Sequence, residues 1–285
     1  MNIKITSDST SDLNVDYLTK QEIDIFPLYI HLGEIEYLDG ITINPSKIIS
    51  YVNTTKKLPS TSAVTIEDYK TKFTQYVKQG LAVIHFTISD SMSSSYNNAL
   101  VASKGLPNVY VVNSQNLSTG IGLLIMYACD LRAKGLGVEE IFKKVTSRVP
   151  YVQASFVLDR LDYLYKGGRC SALALLGANV LMIRPSIEVK EGKMVVGKKQ
   201  FGTLKHCIGK YIEDILAHYN NPDTTRIFFT TTTILEENRQ LVLDILKEKT
   251  NFKEIIETKA GCTITSHCGP NCLGILFIND GGVKD

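Results

Sequence analysis

The stretch Leu81-Ala82-Val83-Ile84-His85-Phe86-Thr87-Ile88 decides the fold class, because it is a mainly apolar run that polar residues follow at once. A continuous run of this length is typical of a strand covered on both faces, as in parallel sheets. The run ends in the serine-rich segment 89–95, and the pattern predicts a helix from about Ser94 to Ser103. One unit of strand, polar loop and helix is therefore expected here.

The same unit recurs on both sides of this stretch. Upstream, residues 3–6 form a short apolar strand that ends in the polar segment 7–12, and a helical pattern follows. Downstream, the buried-type strand 109–112 ends in Asn113-Ser114, and residues 117–133 have a helical pattern. Strands that alternate with helices predict a parallel α/β sheet, because each helix carries the chain back so that the next strand runs in the same direction.

The second half has a different rhythm, with strands that follow one another directly. Glu191-Gly192 separates two apolar runs and predicts a hairpin turn. The predicted strands are 154–157, 186–189, 193–196, 226–232 and 273–278, and the predicted long helices are 204–219 and 234–249. The fold class is thus α/β with two domains, an N-terminal parallel α/β domain over residues 1–150 and a C-terminal α+β domain over residues 151–285.

Composition excludes several classes of function. The chain has 285 residues, 44% hydrophobic and 21% charged, with a formal charge of +2, so a globular protein without a nucleic-acid partner is expected. The first residues lack the apolar core of a signal peptide, and no run approaches the 18 or so apolar residues of a membrane span. A cytoplasmic location is predicted.

Hydroxyl side chains gather where the predicted strands end, notably in segments 7–12, 60–62 and 89–95. Ligands of open α/β sheets bind at the carboxyl ends of the strands. Hydroxyls and the free N–H groups of helix N-termini together favour a carboxylate or a phosphate. Each segment is equally explained as an ordinary helix cap, so the residues alone leave both interpretations open.

Five motifs in order make the chain resemble the DegV family of bacterial fatty-acid-binding proteins, nearly from end to end. They are Asp8-Ser9-Thr10-Ser11-Asp12-Leu13, Thr61-Ser62, the segment 89–99 with Ser93 and Tyr96, the segment 163–171 with Gly167-Gly168-Arg169, and His267-Cys268-Gly269-Pro270.

The resemblance implies a long-chain fatty acid, similar to palmitate or stearate, in a lipid tunnel between the two domains. Its carboxylate is expected on Thr61 and Ser93, with Ser62 and Ser94 beside them in the same motifs. His267 and Arg169 are expected near the head group. No catalytic residue, metal or cofactor is implied. The implied partner is a separate ATP-dependent fatty acid kinase, and transient contact with a membrane is compatible with such a carrier.

This chain departs from the family pattern at several positions. A serine, Ser94, stands where a glycine usually follows the binding serine, and Val64 stands where a proline is usual. Asn271 replaces the second glycine of the last motif. Phe201 replaces an arginine that the family links to the kinase-facing surface. Head-group binding is expected to survive these changes.

An apolar segment just after Arg169 suits the acyl tail. Its members are Leu173, Ala174, Leu175, Leu176, Ala178, Val180, Leu181, Met182 and Ile183. A buried core helix explains it as well as a tunnel wall does, and both hold if one face lines the tunnel.

Three further interpretations remain open. Ser93 and His267 would suit a hydrolase acting on acyl esters, although no third member of a triad is identifiable. The hydroxyl loops would also suit a regulator that binds a sugar or phosphate. Cys262, Cys268 and Cys272 lie near His267, but their spacing differs from that of zinc ribbons, and buried thiols are favoured.

Overall fold

The computed structural model describes residues 2–170 and 183–282. The chain is a mixed α/β protein, as predicted, and its described residues form three sheets. The strands are β1 (Ile3–Asp8), β2 (Asp24–Phe26), β3 (Tyr29–Leu32), β4 (Ile35–Leu38), β5 (Ser60–Ser62), β6 (Ala82–Thr87), β7 (Val109–Asn113), β8 (Val152–Val157), β9 (Ile183–Lys190), β10 (Lys193–Phe201), β11 (Arg226–Thr231), β12 (Glu254–Lys259) and β13 (Leu273–Ile278). The helices are α1 (Val15–Lys20), α2 (Pro45–Thr55), α3 (Ile66–Lys78), α4 (Ser95–Ser103), α5 (Thr119–Ala133), α6 (Val138–Arg148), α7 (Asp162–Lys166), α8 (Leu204–His218), α9 (Glu236–Lys249) and α10 (Cys262–Cys268), with short 3-10 helices at Ser9–Ser11 and Val149–Tyr151.

The first sheet is parallel throughout and has the strand order β2-β1-β6-β7. All six residues of β6 are buried. Helices α3, α5 and α6 all pack against this strand. This is the environment that the continuous apolar run 81–88 predicts. The strand leads into α4, so the predicted unit of strand, loop and helix is confirmed.

A small antiparallel sheet, β4-β3-β5, lies beside the first one. The apolar run 23–30 forms two separate strands, β2 and β3, since Pro27 lacks the N–H that a continuous ladder requires. Ser60–Ser62 is itself a strand, paired with β3, and the interpretation of this segment as a polar loop after a strand is wrong. Its side chains therefore alternate between the two faces of the small sheet.

The second sheet has the order β10-β9-β8-β13-β11-β12 and is antiparallel except for the pair β11 and β12. The predicted hairpin is present, with Lys190 opposite Lys193 and a two-residue turn between them. Glu191 and Gly192 both have positive φ, 50° and 78°, which is the geometry of a type I′ turn. The Ser89 hydroxyl donates to the carbonyl of Gly192, so the hairpin tip touches the first half of the chain.

Helix α5 lies between the two larger sheets. It packs against β1 and β6 of the first sheet and against β8, β11 and β13 of the second. Eleven of its fifteen residues are buried, which explains its apolar composition on every side. All strands of the first sheet precede residue 150 and all strands of the second follow it; the domain boundary near residue 150 stays a prediction. No helix within the described ranges is both long and apolar enough to span a membrane.

Candidate functional site

A cavity of about 250 Å³ lies where α4, α10 and the small sheet meet. All six site residues that the sequence predicts line it. They are Thr61, Ser62, Ser93, Ser94, Arg169 and His267. The remaining lining residues are mainly apolar and comprise Leu28, Ala63, Ile88, Met92, Leu117, Met194, Thr263, Ile264 and Cys268. The cavity therefore has a polar patch on an apolar wall. Of the predicted tunnel segment, residues 173–182 lie outside the described residues.

Thr61 and His267 are joined across the cavity wall. The Oγ1 atom of Thr61 lies 2.8 Å from Nε2 of His267. Thr61 belongs to β5, and His267 belongs to α10, more than two hundred residues later in the chain. The small sheet and the C-terminal helix therefore build this part of the site together.

His267 is neutral in this environment. Burial, with the nearby positive charge of Arg169, lowers the pKa of the imidazole to about 4. A neutral imidazole carries one N–H, and the Nδ1 atom is enclosed without a hydrogen-bond partner. If the proton is on Nε2, the ring donates to Thr61, whose own hydroxyl proton is then available to an anion in the cavity. This tautomer is an assignment from the hydrogen-bond network.

Ser93 and Ser94 form the entry to α4. The Oγ atom of Ser93 accepts the backbone N–H of Ser95 at 3.2 Å and lies 3.0 Å from the Ser95 hydroxyl. Ser93 thus accepts the first N–H of α4 and also lines the cavity. Ser94 has φ −75°, which any residue adopts, so the serine that replaces the family's glycine introduces no backbone strain.

Arg169 supplies the positive charge of the cavity wall. Its Nη1 donates to the carbonyl of Gly167 at 2.6 Å, and its Nε donates to the carbonyl of Met92 at 3.4 Å. Within residues 2–170 and 183–282, no acidic side chain forms an ion pair with Arg169; nearby acids pair with Arg160 and Arg184 instead. The guanidinium keeps donors that an anion in the cavity could use.

Ser62 lies in the same strand as Thr61, but its hydroxyl has a different partner. Its Oγ atom lies 2.5 Å from Nε2 of His31 on the neighbouring strand β3. Adjacent residues of a strand point to opposite faces, so Thr61 and Ser62 cannot both direct their hydroxyls to one ligand oxygen without a change of rotamer. Ser62 borders the cavity with its side chain engaged elsewhere.

Sequence reasoning missed the helix that carries His267. Thr263 and His267, like Ile264 and Cys268, are four residues apart, and all four line the cavity as one face of α10. That spacing was the available signal. Asn271, which replaces a family glycine, has φ 57°, a conformation that asparagine tolerates better than most residues.

The hydrolase and the metal-site interpretations find no geometric support in the described residues. His267 bonds to Thr61 rather than to Ser93, and its Nδ1 has no acidic partner, so the hydrolase triad is not assembled there. The part of the chain that the structure describes contains no group of three potential metal ligands. All six cysteines are buried.

Comparison with known proteins agrees with this architecture. The DegV family model, described as uncharacterised protein, matches residues 2–280. A DegV domain-containing protein of Clostridium acetobutylicum is 32% identical over 280 residues, which cover 97% of this chain and 98% of that protein. A fatty acid-binding protein of Thermotoga maritima is 28% identical, with 96% of each chain covered. The structure of a stearic acid-binding protein from Eubacterium ventriosum superposes with a TM-score of 0.88 at 27% identity, with 99% of each chain covered. With the three sheets of its described residues, its cavity between α4 and α10 and a family model that matches nearly the whole chain, the chain belongs to the DegV family.

Proposed function

We propose that this protein binds one long-chain fatty acid and holds its carboxylate at Thr61 and Ser93. The fatty acid resembles palmitate or stearate, as in the stearic acid-binding relative. The protein acts as a carrier in the cytoplasm and not as an enzyme. It presents the carboxylate to a separate ATP-dependent kinase, which forms the acyl phosphate.

The charge of the cavity wall is the observation that carries this proposal. Among the described lining residues, Arg169 is charged, His267 is neutral at pH 7 and none is an acid. Two hydroxyls, one guanidinium and the N-terminal end of α4 face the same small space. Such a wall stabilises an anion, because each of these groups donates hydrogen bonds and both the guanidinium and the helix terminus are electropositive.

The acyl tail supplies most of the binding energy. Burial of about fifteen methylene and methyl groups contributes roughly 12 kcal/mol at about 0.8 kcal/mol each. Association costs about 4–15 kcal/mol, which offsets a large part of this gain. A hydrogen bond to a charged group adds about 1.5–3 kcal/mol. The polar residues therefore fix where the carboxylate lies, and the apolar wall of Ile88, Met92 and Ile264 receives the start of the tail.

Native mass spectrometry of the purified protein tests the first part of the proposal. The expected result is a mass increase of one fatty acid that organic extraction removes and added palmitate restores. Protein that purifies without lipid, ignores added palmitate and hydrolyses acyl esters would contradict it.

The partner is tested separately. The loaded protein is incubated with ATP and the candidate kinase, and acyl phosphate is trapped with hydroxylamine as the hydroxamate. Kinase-dependent hydroxamate is expected. A loaded carrier that gives none with any kinase from the same cell would remove the kinase from the proposal and leave fatty-acid binding intact.

A further inference from the structure

Two buried carboxylates hold the N-terminal end of α10, the helix that carries His267. Asp39, just after β4, accepts the backbone N–H of Cys262 at 2.9 Å and that of Thr263 at 3.1 Å. It also accepts the Thr263 hydroxyl at 2.7 Å. Asp12 accepts the backbone N–H of Gly261 at 2.8 Å. The N–H group of the N-cap Gly261 and the first two N–H groups of α10 thus donate to side chains from the first forty residues.

The two carboxylates meet at Gly261. A Cβ atom there would lie 3.2 Å from Oδ1 of Asp12 and 3.5 Å from Oδ1 of Asp39. Both acids are at most 8% exposed. A buried carboxylate is costly unless hydrogen bonds satisfy it, and the free N–H groups of a helix N-terminus are suitable donors.

We call the bonds from Asp39 and Asp12 to residues 261–263 the clamp. The Asp8–Asp12 motif connects the clamp to the other half of the cavity. The Ser9 hydroxyl donates to Asp39 at 2.9 Å, while Asp12 reaches Gly261. Asp8 accepts the backbone N–H of Ile88, which leads into the Ser93 segment. One short segment at the end of β1 therefore contacts both the start of α10 and the strand end that leads towards α4.

Because α10 has seven residues, a shift at its first turn moves its last turn as well. His267 lies in that last turn and holds the Thr61 hydroxyl through a single hydrogen bond. Hydrogen bonds weaken steeply when their length and angle leave the favoured range. The position of the helix therefore determines whether Thr61 presents its proton to the cavity.

We propose that Asp39, with Asp12, is a positioning residue for head-group recognition: it holds α10 so that His267 keeps the Thr61 hydroxyl aimed at the carboxylate. This inference rests on the proposed fatty-acid function. It predicts that loss of the clamp reduces recognition of the carboxylate and leaves binding of the tail largely unchanged.

The test compares palmitate with hexadecanol, which has the same tail without the charge, on delipidated full-length protein. Wild type should prefer palmitate. In Asp39→Asn, an NH₂ group replaces one of the two oxygen atoms that accept hydrogen bonds from the start of α10, so part of these bonds is lost. Palmitate should then bind about tenfold or more weakly. Hexadecanol should change by less than about threefold, since the tail contacts remain. Ser9→Ala, a milder change at the same clamp, should shift the preference in the same direction by a smaller factor.

Asp223→Asn is the control, because Asp223 is likewise a carboxylate with hydrogen bonds and little exposure, but it pairs with Arg148 and does not line the cavity. It should lower the melting temperature and keep the preference for palmitate. Equal weakening of both ligands by Asp39→Asn, or an unchanged preference in both clamp variants, would overturn the positioning role. If wild type bound neither ligand, the proposed function itself would fail.

Discussion

Replacement of Thr61 by valine isolates the hydroxyl that lies at the centre of the proposed site. Valine keeps the β-branch that suits strand β5 and puts a methyl group in place of the hydroxyl. The carboxylate loses one donor, which costs about 1.5–3 kcal/mol, so the dissociation constant of palmitate should rise roughly tenfold to a hundredfold. The variant also loses the 2.8 Å bond to His267, a partly buried neutral hydrogen bond. That bond contributes about 0.5–1.5 kcal/mol to stability, which corresponds to a decrease of a few degrees in melting temperature.

Calorimetric titration of the delipidated protein with palmitate measures the affinity, and calorimetric unfolding of the lipid-free form measures the stability. The chain has no tryptophan, so intrinsic fluorescence is a poor alternative. Thr250→Val is the control, since the Thr250 hydroxyl donates to the carbonyl of Leu246 at the end of α9 and is remote from the cavity residues. A palmitate affinity within threefold of wild type would refute the carboxylate role of Thr61. A loss beyond a thousandfold would exceed one hydrogen bond and would indicate collapse of the site.

Three further results are expected. Arg169→Gln should weaken palmitate binding at least tenfold and reduce its dependence on ionic strength, which titrations at low and high salt would detect; an unchanged salt dependence would argue against an electrostatic role. Gly167→Ala should displace His267 and weaken palmitate binding, because the added Cβ would lie 2.5 Å from Nδ1 of His267 and 3.0 Å from the carbonyl of Tyr163, and a crystal structure with His267 unmoved would contradict this. Since burial lowers the pKa of His267 to about 4, the ring should stay neutral between pH 8 and pH 6, and its NMR resonances should not titrate in that range; a titration midpoint near pH 6.5 would count against a neutral ring.

The parallel sheet could be predicted because its central strands bury both faces. The apolar composition of the run 81–88 indicates a strand that is buried on both faces. The residue types of Glu191-Gly192 indicate a hairpin turn. Where a signal is local and strong, the structure agrees with it.

Helix α3 was missed although a local signal exists. Thr65 and Asp68 form a capping box at its start, with the Thr65 side chain accepting the Asp68 N–H and the Asp68 carboxylate accepting the Thr65 N–H. This pattern of a threonine followed three residues later by an acid is visible in the sequence. The helical pattern of this segment is weak because its apolar face is narrow, with three buried aromatic residues among polar neighbours.

Helix α10 is a different case, since no local pattern predicts it strongly. Its sequence is rich in threonine, cysteine and serine, which are indifferent helix formers. Its N-terminus depends on Asp39, more than two hundred residues earlier in the chain. Composition alone could not single out Thr61, Ser93 and His267, because their proximity results from such long-range contacts; the order of the family motifs selected them.

Helix α5 has a consequence for how the chain is made. It leaves the ribosome with the residues of the first sheet, but the strands that cover its other side, β8, β11 and β13, are synthesised later. At about 5–20 residues per second, the nascent chain exposes that apolar surface for roughly ten to thirty seconds. During this interval the first half is a target for chaperones and for aggregation, so slow translation or truncation after residue 150 should lower the yield of folded protein far more than truncation of an ordinary independent domain.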